Sequence, residues 1–264
     1  MAQVAALYRF PVKGFTQESV DELVIQEDGR VRGDRAFAFR FANGLEPRER
    51  EGMRVWAKSK GLTRMEFPSL ARLRLRLDTE AERIRIDGPD GPLVEADLSP
   101  AGREQLAEAV TAFLRGSEDG DQLARPGRLP LTLLGEVAQS EFQDSARGYV
   151  SMHGRGSLAA LGEALGREIS DHRFRSNIAV DGLAPWEEIG ELSGVRIGEV
   201  EFVAEKPIGR CLNTHANPET GVRDAEVLST LTRVFGQPQP TFGHFLLPRA
   251  GGGTIRVGDT VELL

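Results

Sequence analysis

The chain has 264 residues, 40% hydrophobic and 28% charged, with a formal net charge of -7 at pH 7. This length and composition predict one or two globular domains and exclude a fibre, a disordered tail or a disulfide-stapled miniature protein. The acidic balance argues against nucleic acid as a partner, because a phosphate backbone is bound through basic surface.

Cys211 is the only cysteine. A single thiol excludes an intrachain disulfide, and it excludes a cysteine-ligated zinc site or iron-sulfur cluster held by this chain alone. No run approaches 18 apolar residues, and Arg9 and Lys13 interrupt the first 15 residues, so neither a membrane span nor a signal peptide is expected. We therefore expect a cytoplasmic protein.

The first half of the chain is dominated by short runs typical of β-strands, at residues 4–10, 22–25, 36–41, 70–77 and 83–87. The last two runs alternate apolar with charged residues, which predicts a hairpin with one face in water. A helix is predicted after Ser99 and Pro100, with apolar residues on one stripe and Gly116 at its end.

A domain boundary is predicted between about residues 117 and 128, where an acidic loop is followed by Arg125, Pro126 and Gly127. The predicted domains are residues 1–122 and 126–264.

In the second half, strands are predicted at residues 129–134, 177–180, 195–197, 200–204 and 254–263, with hairpin turns at Gly198-Glu199 and Gly258-Asp259. Helices are predicted from Ser157 to Gly166 and over about 225–235. Many short strands and about three helices predict an α+β fold that is predominantly β, and favour a β-barrel over a doubly wound sheet.

Two features, a glycine-containing helix start and the histidines, are each weighed as chemical or structural. Gly154-Arg155-Gly156-Ser157 begins a helix and could bind phosphate, but it lacks the third glycine of a dinucleotide fingerprint, so a flexible helix start is the alternative. The four histidines have no metal-ligand spacing, and each is expected to be structural.

Arg173 and Arg175 lie two positions apart just before a predicted strand, so their side chains are expected to project to one side and to suit an oxyanion or phosphate. Alternatively, they cover apolar surface. Cys211 follows Arg210 in a Pro/Gly-rich turn, where positive charge favours the thiolate that attacks or binds a soft metal. An inert small hydrophobe is the alternative.

A set of fragments, spread in order over nearly the whole chain, resembles proteins with a MOSC domain, the molybdenum cofactor sulfurase C-terminal module, preceded by its N-terminal companion. The fragments are Pro11-Val12-Lys13, Gly33-Asp34-Arg35, Arg173-Phe174-Arg175-Ser176-Asn177-Ile178, Arg210-Cys211, Asn217-Pro218-Glu219-Thr220-Gly221, Phe242-Gly243-His244-Phe245 and Gly253-Thr254-Ile255-Arg256-Val257-Gly258-Asp259. The two-part arrangement resembles most the mitochondrial amidoxime-reducing component and its bacterial relatives.

The resemblance implies a β-barrel MOSC domain and a smaller β-rich N-terminal domain whose first strands could join the second barrel. It also implies a molybdenum cofactor, in which the dithiolene of a phosphorylated pterin holds the metal. Cys211 would be the protein ligand of molybdenum and the catalytic residue. The residues that would bind the cofactor are Lys13, Arg35, Arg173, Arg175, Asn177 and Arg210.

The chain departs from the family pattern at two positions. Many relatives have proline in place of Ser176 and a second cysteine in place of Ile208. Some bacterial relatives also carry a fused ferredoxin domain at the C-terminus, whereas this sequence ends at Leu264. Electrons are therefore expected to come from a separate electron-donor protein.

Three functions remain open at this point. The first is a molybdenum-dependent oxidoreductase that reduces small N-hydroxylated or related N-oxygenated compounds. The second is a non-catalytic carrier of the molybdenum cofactor, or a sulfur-transfer module that uses a Cys211 persulfide. The third is a structural domain in which Cys211 is inert.

Overall fold

The computed structural model describes residues 1–50, 53–56, 60–143, 147–249 and 251–264. The strands are β1 (Gln3–Arg9), β2 (Glu18–Val20), β3 (Glu22–Ile25), β4 (Phe37–Arg40), β5 (Arg48–Arg50), β6 (Met53–Val55), β7 (Arg74–Asp78), β8 (Arg83–Gly88), β9 (Gly91–Asp97), β10 (Thr132–Gly135), β11 (Val150–Gly154), β12 (Ile178–Asp181), β13 (Gly194–Ile197), β14 (Val200–Gly209), β15 (Thr241–Pro248), β16 (Gly253–Arg256) and β17 (Val261–Leu263). The helices are α1 (Pro100–Arg115), α2 (Gly120–Leu123), α3 (Arg155–Leu165) and α4 (Val227–Arg233), with 3-10 helices at Pro68–Arg72, Asp171–Arg173, Glu187–Ile189 and Leu212–His215. The predicted α+β class with a predominance of strands is confirmed.

The largest sheet has the strand order β17-β13-β14-β15-β11-β12-β1-β2. Its neighbours are antiparallel except β11 and β12, which run parallel and are connected through α3. Backbone bonds also connect the β1 region with the segment around β17. The Val4 N-H donates to the carbonyl of Asp259 (2.8 Å), and the Val261 N-H donates to the carbonyl of Ala2 (2.9 Å). The sheet therefore curls back so that β1 meets the segment leading into β17, which is how a sheet closes on itself.

A second core lies under the three-stranded sheet β7-β8-β9. The leucines of β7 and isoleucines of β8 are buried while the intervening arginines are exposed, so the predicted hairpin with one wet face is confirmed. Helix α1 packs on this core through Leu106, Val110 and Leu114, and the Ser99 side chain caps it by accepting from the Gly102 N-H at 3.2 Å.

Each of the two cores contains residues from both sides of the predicted domain boundary. The core under β7-β8-β9 includes Val12 and Phe15 and extends to Val137. The core of the large sheet includes Val4 and Leu7 of β1 together with residues as distant as Val261. The division into domains 1–122 and 126–264 stays a prediction.

The structure corrects several local predictions. Residues 70–72 end the 3-10 helix Pro68–Arg72, so the strand there begins only at Arg74. Gly198-Glu199 does join a hairpin, but the prediction for Gly258-Asp259 is wrong: β16 pairs with β3 and β17 with β13. A one-turn helix, α2, lies within the predicted boundary loop, and the strands that were not predicted are β2, β5, β6, β9, β11 and β15. None of the helices in the described ranges is long and apolar enough to cross a membrane.

Candidate functional site

A cavity of about 420 Å³ gathers segments from both halves of the chain. Four of the predicted cofactor contacts, Lys13, Arg35, Arg173 and Arg175, line it. The other lining residues are Gly14, Thr63, Arg64, Met65, Glu66, Pro68, Phe142, His172, Asn213, Ala216 and Gly221. Cations that are up to about 160 positions apart in the sequence are thus brought to one surface.

Phe10 organises two of these cations. Its ring is 1% exposed, and the guanidinium carbons of Arg35 and Arg175 lie 4.7 and 4.4 Å from the ring centroid. Arg35 Nη2 also donates to the Arg175 carbonyl at 3.4 Å, and Arg175 Nη1 donates to the Phe15 carbonyl at 2.6 Å. Contact with an aromatic face stabilises a partly desolvated cation, so the Phe10 ring stabilises both guanidinium groups.

Both arginines have an unusual backbone conformation. Arg35 has a φ of 50° and Arg175 a φ of 52°, in the left-handed region where a residue other than glycine is strained by about 1–3 kcal/mol. The Arg35 N-H donates to the Phe10 carbonyl at 2.7 Å, which helps to hold this conformation. Strain of this kind clusters at functional sites, and here it occurs at the two cations that share one ring.

The cavity is locally positive although the whole chain is acidic. Lys13 is 5% exposed, and its Nζ donates to the Phe142 carbonyl at 2.9 Å. Glu66 is the one carboxylate among the described lining residues, and it is paired with Arg128. Asp34 and Asp224 pair with Arg35 and Arg173 and partly balance them. The described lining residues thus include five cations and one carboxylate, which makes the cavity suited to an anionic ligand.

Arg173 and Arg210 fix the loop that carries Cys211. Arg173 donates to the His215 carbonyl at 3.0 Å and to the Asp224 carboxylate at 2.6 Å. Arg210 donates through Nη1 to the Phe174 carbonyl at 2.7 Å, and burial lowers its pKa to about 9, which leaves it charged at neutral pH. Both guanidinium groups bond to other parts of the protein. These bonds support a role for Arg173 and Arg210 in positioning the loop.

Arg173 and Arg175 do not make the fork that was expected from a strand. They precede β12, with Arg173 ending a 3-10 helix and Arg175 in the left-handed region. Their guanidinium groups therefore reach different partners, although both line the cavity.

Cys211 is exposed and directly precedes the 3-10 helix Leu212–His215. Cys211 is not itself among the lining residues, but Asn213, two positions later, is one of them. Two residues span at most about 7 Å between Cα atoms. The Cys211 backbone therefore lies close to a residue of the cavity wall, and its side chain is open to a ligand or a partner.

The side chain of Asn177 is fully buried and lies outside the cavity lining. Its Oδ1 accepts from the Ser151 hydroxyl at 2.9 Å, and its Nδ2 donates to the Tyr8 carbonyl at 3.2 Å. The amide thus ties β1 and β11 to the start of β12. Its role as a cofactor contact stays a prediction.

The glycine-rich start of α3 is occupied by a side chain of the protein. The Glu188 carboxylate accepts from the Gly154 N-H at 3.1 Å and from the Ser157 hydroxyl at 2.7 Å. An anion bound at a helix N-terminus satisfies free N-H groups, and here the anion is internal. This contact supports the structural interpretation of the Gly154–Ser157 stretch.

The histidines have different surroundings. His172 lines the cavity, and burial lowers its pKa. His215 Nε2 accepts from the Leu228 N-H at 3.1 Å, at the start of α4, and His244 Nδ1 lies 3.0 Å from the Glu188 carbonyl oxygen. Within the described part of the chain, no group of three or more His, Cys, Asp or Glu side chains could hold a metal ion.

His153 is fully buried beside Phe242, and neither ring nitrogen has a hydrogen-bond partner among the described residues. Burial lowers its pKa to about 3, whereas an unfolded histidine titrates near 6.5. Between these values the unfolded chain binds a proton that the folded chain does not, so stability falls as the pH falls below about 6.5.

We expect His153→Phe to flatten this pH dependence. From pH 7 to pH 5 the parent should lose about 2 kcal/mol more unfolding free energy than the variant, by proton linkage. Denaturant unfolding at both pH values measures the difference, with His172→Gln as the control for a less buried imidazole. Parallel losses in His153→Phe and parent would show that His153 is not the responsible group.

Phe10, Arg64 and His172 were not singled out from the sequence. Phe10 has a weak signal, since it is an aromatic residue between the end of β1 and Pro11. Arg64 and His172 have none, because one arginine or histidine in an irregular segment looks like any other.

The comparison with family models decides the family. The MOSC domain model matches residues 139–262, and the MOSC N-terminal beta barrel domain model matches residues 1–125. The chain is a MOSC domain protein.

Curated relatives of this MOSC domain protein are similar over parts of their length. The molybdenum cofactor sulfurase of Drosophila grimshawi is 27% identical over 205 residues, which cover 70% of this chain and 26% of that protein. Mitochondrial amidoxime-reducing component 1 is 35% identical in Mus musculus and 33% in Homo sapiens, each over 119 residues that cover 41% of this chain and 34% of that protein. The chain thus spans about a quarter to a third of the length of these relatives.

Proposed function

We propose that this MOSC domain protein binds the molybdenum cofactor in the cavity and reduces small N-hydroxylated or related N-oxygenated compounds. The observation that carries the proposal is the gathering of Lys13, Arg35 and Arg175 beside the loop of an exposed cysteine, in a chain of net charge -7. The names of the relatives concern the molybdenum cofactor and the reduction of amidoximes, and they support the same function.

The residues present fit such a group. A phosphorylated pterin needs charge-assisted donors, and the two guanidinium groups over Phe10 together with Lys13 would supply them. Molybdenum in a dithiolene accepts a soft thiolate, which Cys211 would provide. When bound, the group supplies two-electron oxygen-atom chemistry.

The protein residues would hold the cofactor and orient the loop that carries Cys211. Arg173 and Arg210 would position the Cys211 loop through their bonds to the His215 and Phe174 carbonyls. The net reaction converts R-NH-OH, two electrons and two protons into R-NH2 and water. A separate electron-donor protein would supply the electrons, and a cytoplasmic location, where a lone thiol stays reduced, belongs to the same proposal.

One observation favours a second function. The exposure of Cys211 would let a partner protein reach the thiol directly. A non-catalytic cofactor carrier, or a sulfur-transfer module that forms a Cys211 persulfide, would use this accessibility. It would bind cofactor or sulfur without reducing a substrate.

The deciding experiment uses protein purified from a host that makes the molybdenum cofactor. Metal analysis and fluorescence of the oxidised pterin measure the content, and an artificial reduced donor tests turnover of an aromatic amidoxime. We expect molybdenum and pterin near one per chain and formation of the amidine. Bound cofactor without turnover would favour the carrier. Absence of cofactor would favour a structural domain in which Cys211 is inert.

A further inference from the structure

Arg64 lines the cavity from a segment that carries none of the predicted cofactor contacts. Thr63, Arg64, Met65 and Pro68 all contribute to this wall. Arg64 Nη2 donates to the carbonyl of Pro218, in the chain that follows the Cys211 loop, at 3.4 Å. A bond of this length is at the weak end of the hydrogen-bond range.

Few of the donors on the Arg64 guanidinium are therefore used within the protein. It has five N-H donors, and it makes no ion pair with a carboxylate in the part of the chain that the structure describes. Burial, and next the charge of Arg74, lower its pKa to about 10, which leaves it protonated at neutral pH. A partly desolvated cation that faces a cavity is stabilised by an anion entering it.

The described lining residues supply no such anion. Their one carboxylate, that of Glu66, is paired with Arg128. Arg64 therefore lines the cavity without a carboxylate partner there. Met65, which is half exposed, adds an apolar and adaptable contact next to it.

We propose that Arg64 binds a carboxylate of the substrate, so that this protein acts on small N-hydroxylated compounds that carry a carboxylate group. A guanidinium presents two parallel N-H donors that match the two oxygens of a carboxylate. The inference rests on the proposed reductase function, and it concerns a cation separate from the pair over Phe10. Neutral N-hydroxylated compounds would bind through the remaining contacts alone.

The test compares Arg64→Gln with Arg196→Gln in cofactor-loaded protein. Both variants remove one positive charge, but Arg196 lies on β13, pairs with Glu201 and Glu262 and does not line the cavity. The probes are an aromatic amidoxime with a para-carboxylate and its neutral carboxamide. Binding of the corresponding amidine products, measured by calorimetry, gives a readout independent of turnover.

We expect Arg64→Gln to raise KM and the product Kd at least about tenfold for the carboxylate probes, as for loss of a charge-assisted bond. The carboxamide values and the molybdenum content should stay unchanged. Arg196→Gln should resemble the parent, and Arg64→Lys should retain part of the preference, which keeps the test valid if Arg64→Gln is unstable.

The inference is wrong if Arg64→Gln changes the binding of both probes equally, or if the two Gln variants have equal effects. It is also wrong if Arg64→Gln alone loses the cofactor, since Arg64 would then be a cofactor contact. If no amidoxime is reduced, the reductase proposal fails and the carboxylate substrate falls with it. Turnover without a carboxylate preference would remove only the inference about Arg64.

Discussion

Cys211→Ala should keep its fold but lose all measurable reduction of N-hydroxylated compounds. The side chain is exposed, so its truncation should change the unfolding free energy by only about 0.5 kcal/mol. The change removes the thiolate that would serve as the soft ligand of the metal. Turnover with an artificial electron donor, molybdenum content and thermal unfolding are measured on the same preparations.

Cys211→Ser is the matched variant, because it keeps the size of the side chain and replaces sulfur with a harder oxygen donor. It should lose activity as Cys211→Ala does, and both should retain part of the pterin through Lys13, Arg35 and Arg175. Unchanged molybdenum content and turnover in either variant would show that Cys211 is not the ligand.

Arg175→Ala should lower the cofactor content of the purified protein about tenfold or more. The substitution removes the guanidinium over Phe10 and its bond to the Phe15 carbonyl, and with them one charge-assisted donor to the ligand. Pterin fluorescence and metal analysis measure the content, and thermal unfolding reports on the fold.

Arg196→Ala is the control for loss of one positive charge. Arg196 lies on β13, where it pairs with Glu201 and Glu262 at 2.7 Å, and it does not line the cavity. It should retain the cofactor content of the parent. Equal content in both variants would assign Arg175 to packing against Phe10.

The sequence was sufficient for the fold class and for most strands with a clear pattern. β7 and β8 alternate because one face is buried, and α1 has a cap, a stripe and a terminal glycine. β11 is buried along its whole length and so does not alternate, and β15 contains Gly243 and ends at Pro248, both unfavourable in strands. Such strands form because they pair with neighbouring strands in the sheet. A local sequence pattern does not reveal that pairing.

The candidate site was predictable only in part. The motifs named four cations that do line one cavity, but two of them, Arg35 and Arg175, meet there through the ring of Phe10 and a left-handed backbone. Those contacts join residues far apart in the chain, and no local spacing encodes them. Asn177 and Arg210 were selected by the same motifs, yet their side chains hold strands and loops together.

The pairing of β1 with β12 affects how the protein can assemble as it is made. Leu7 pairs with Ile178, roughly 170 residues later. At a synthesis rate of about 5–20 residues per second, the first strand waits on the order of 10–30 s for its partner. During that interval β1 can pair with β2 but not with its other neighbour in the large sheet, β12. The cavity is therefore completed late, after the ribosome has supplied β12, and any cofactor that uses it binds a nearly finished chain.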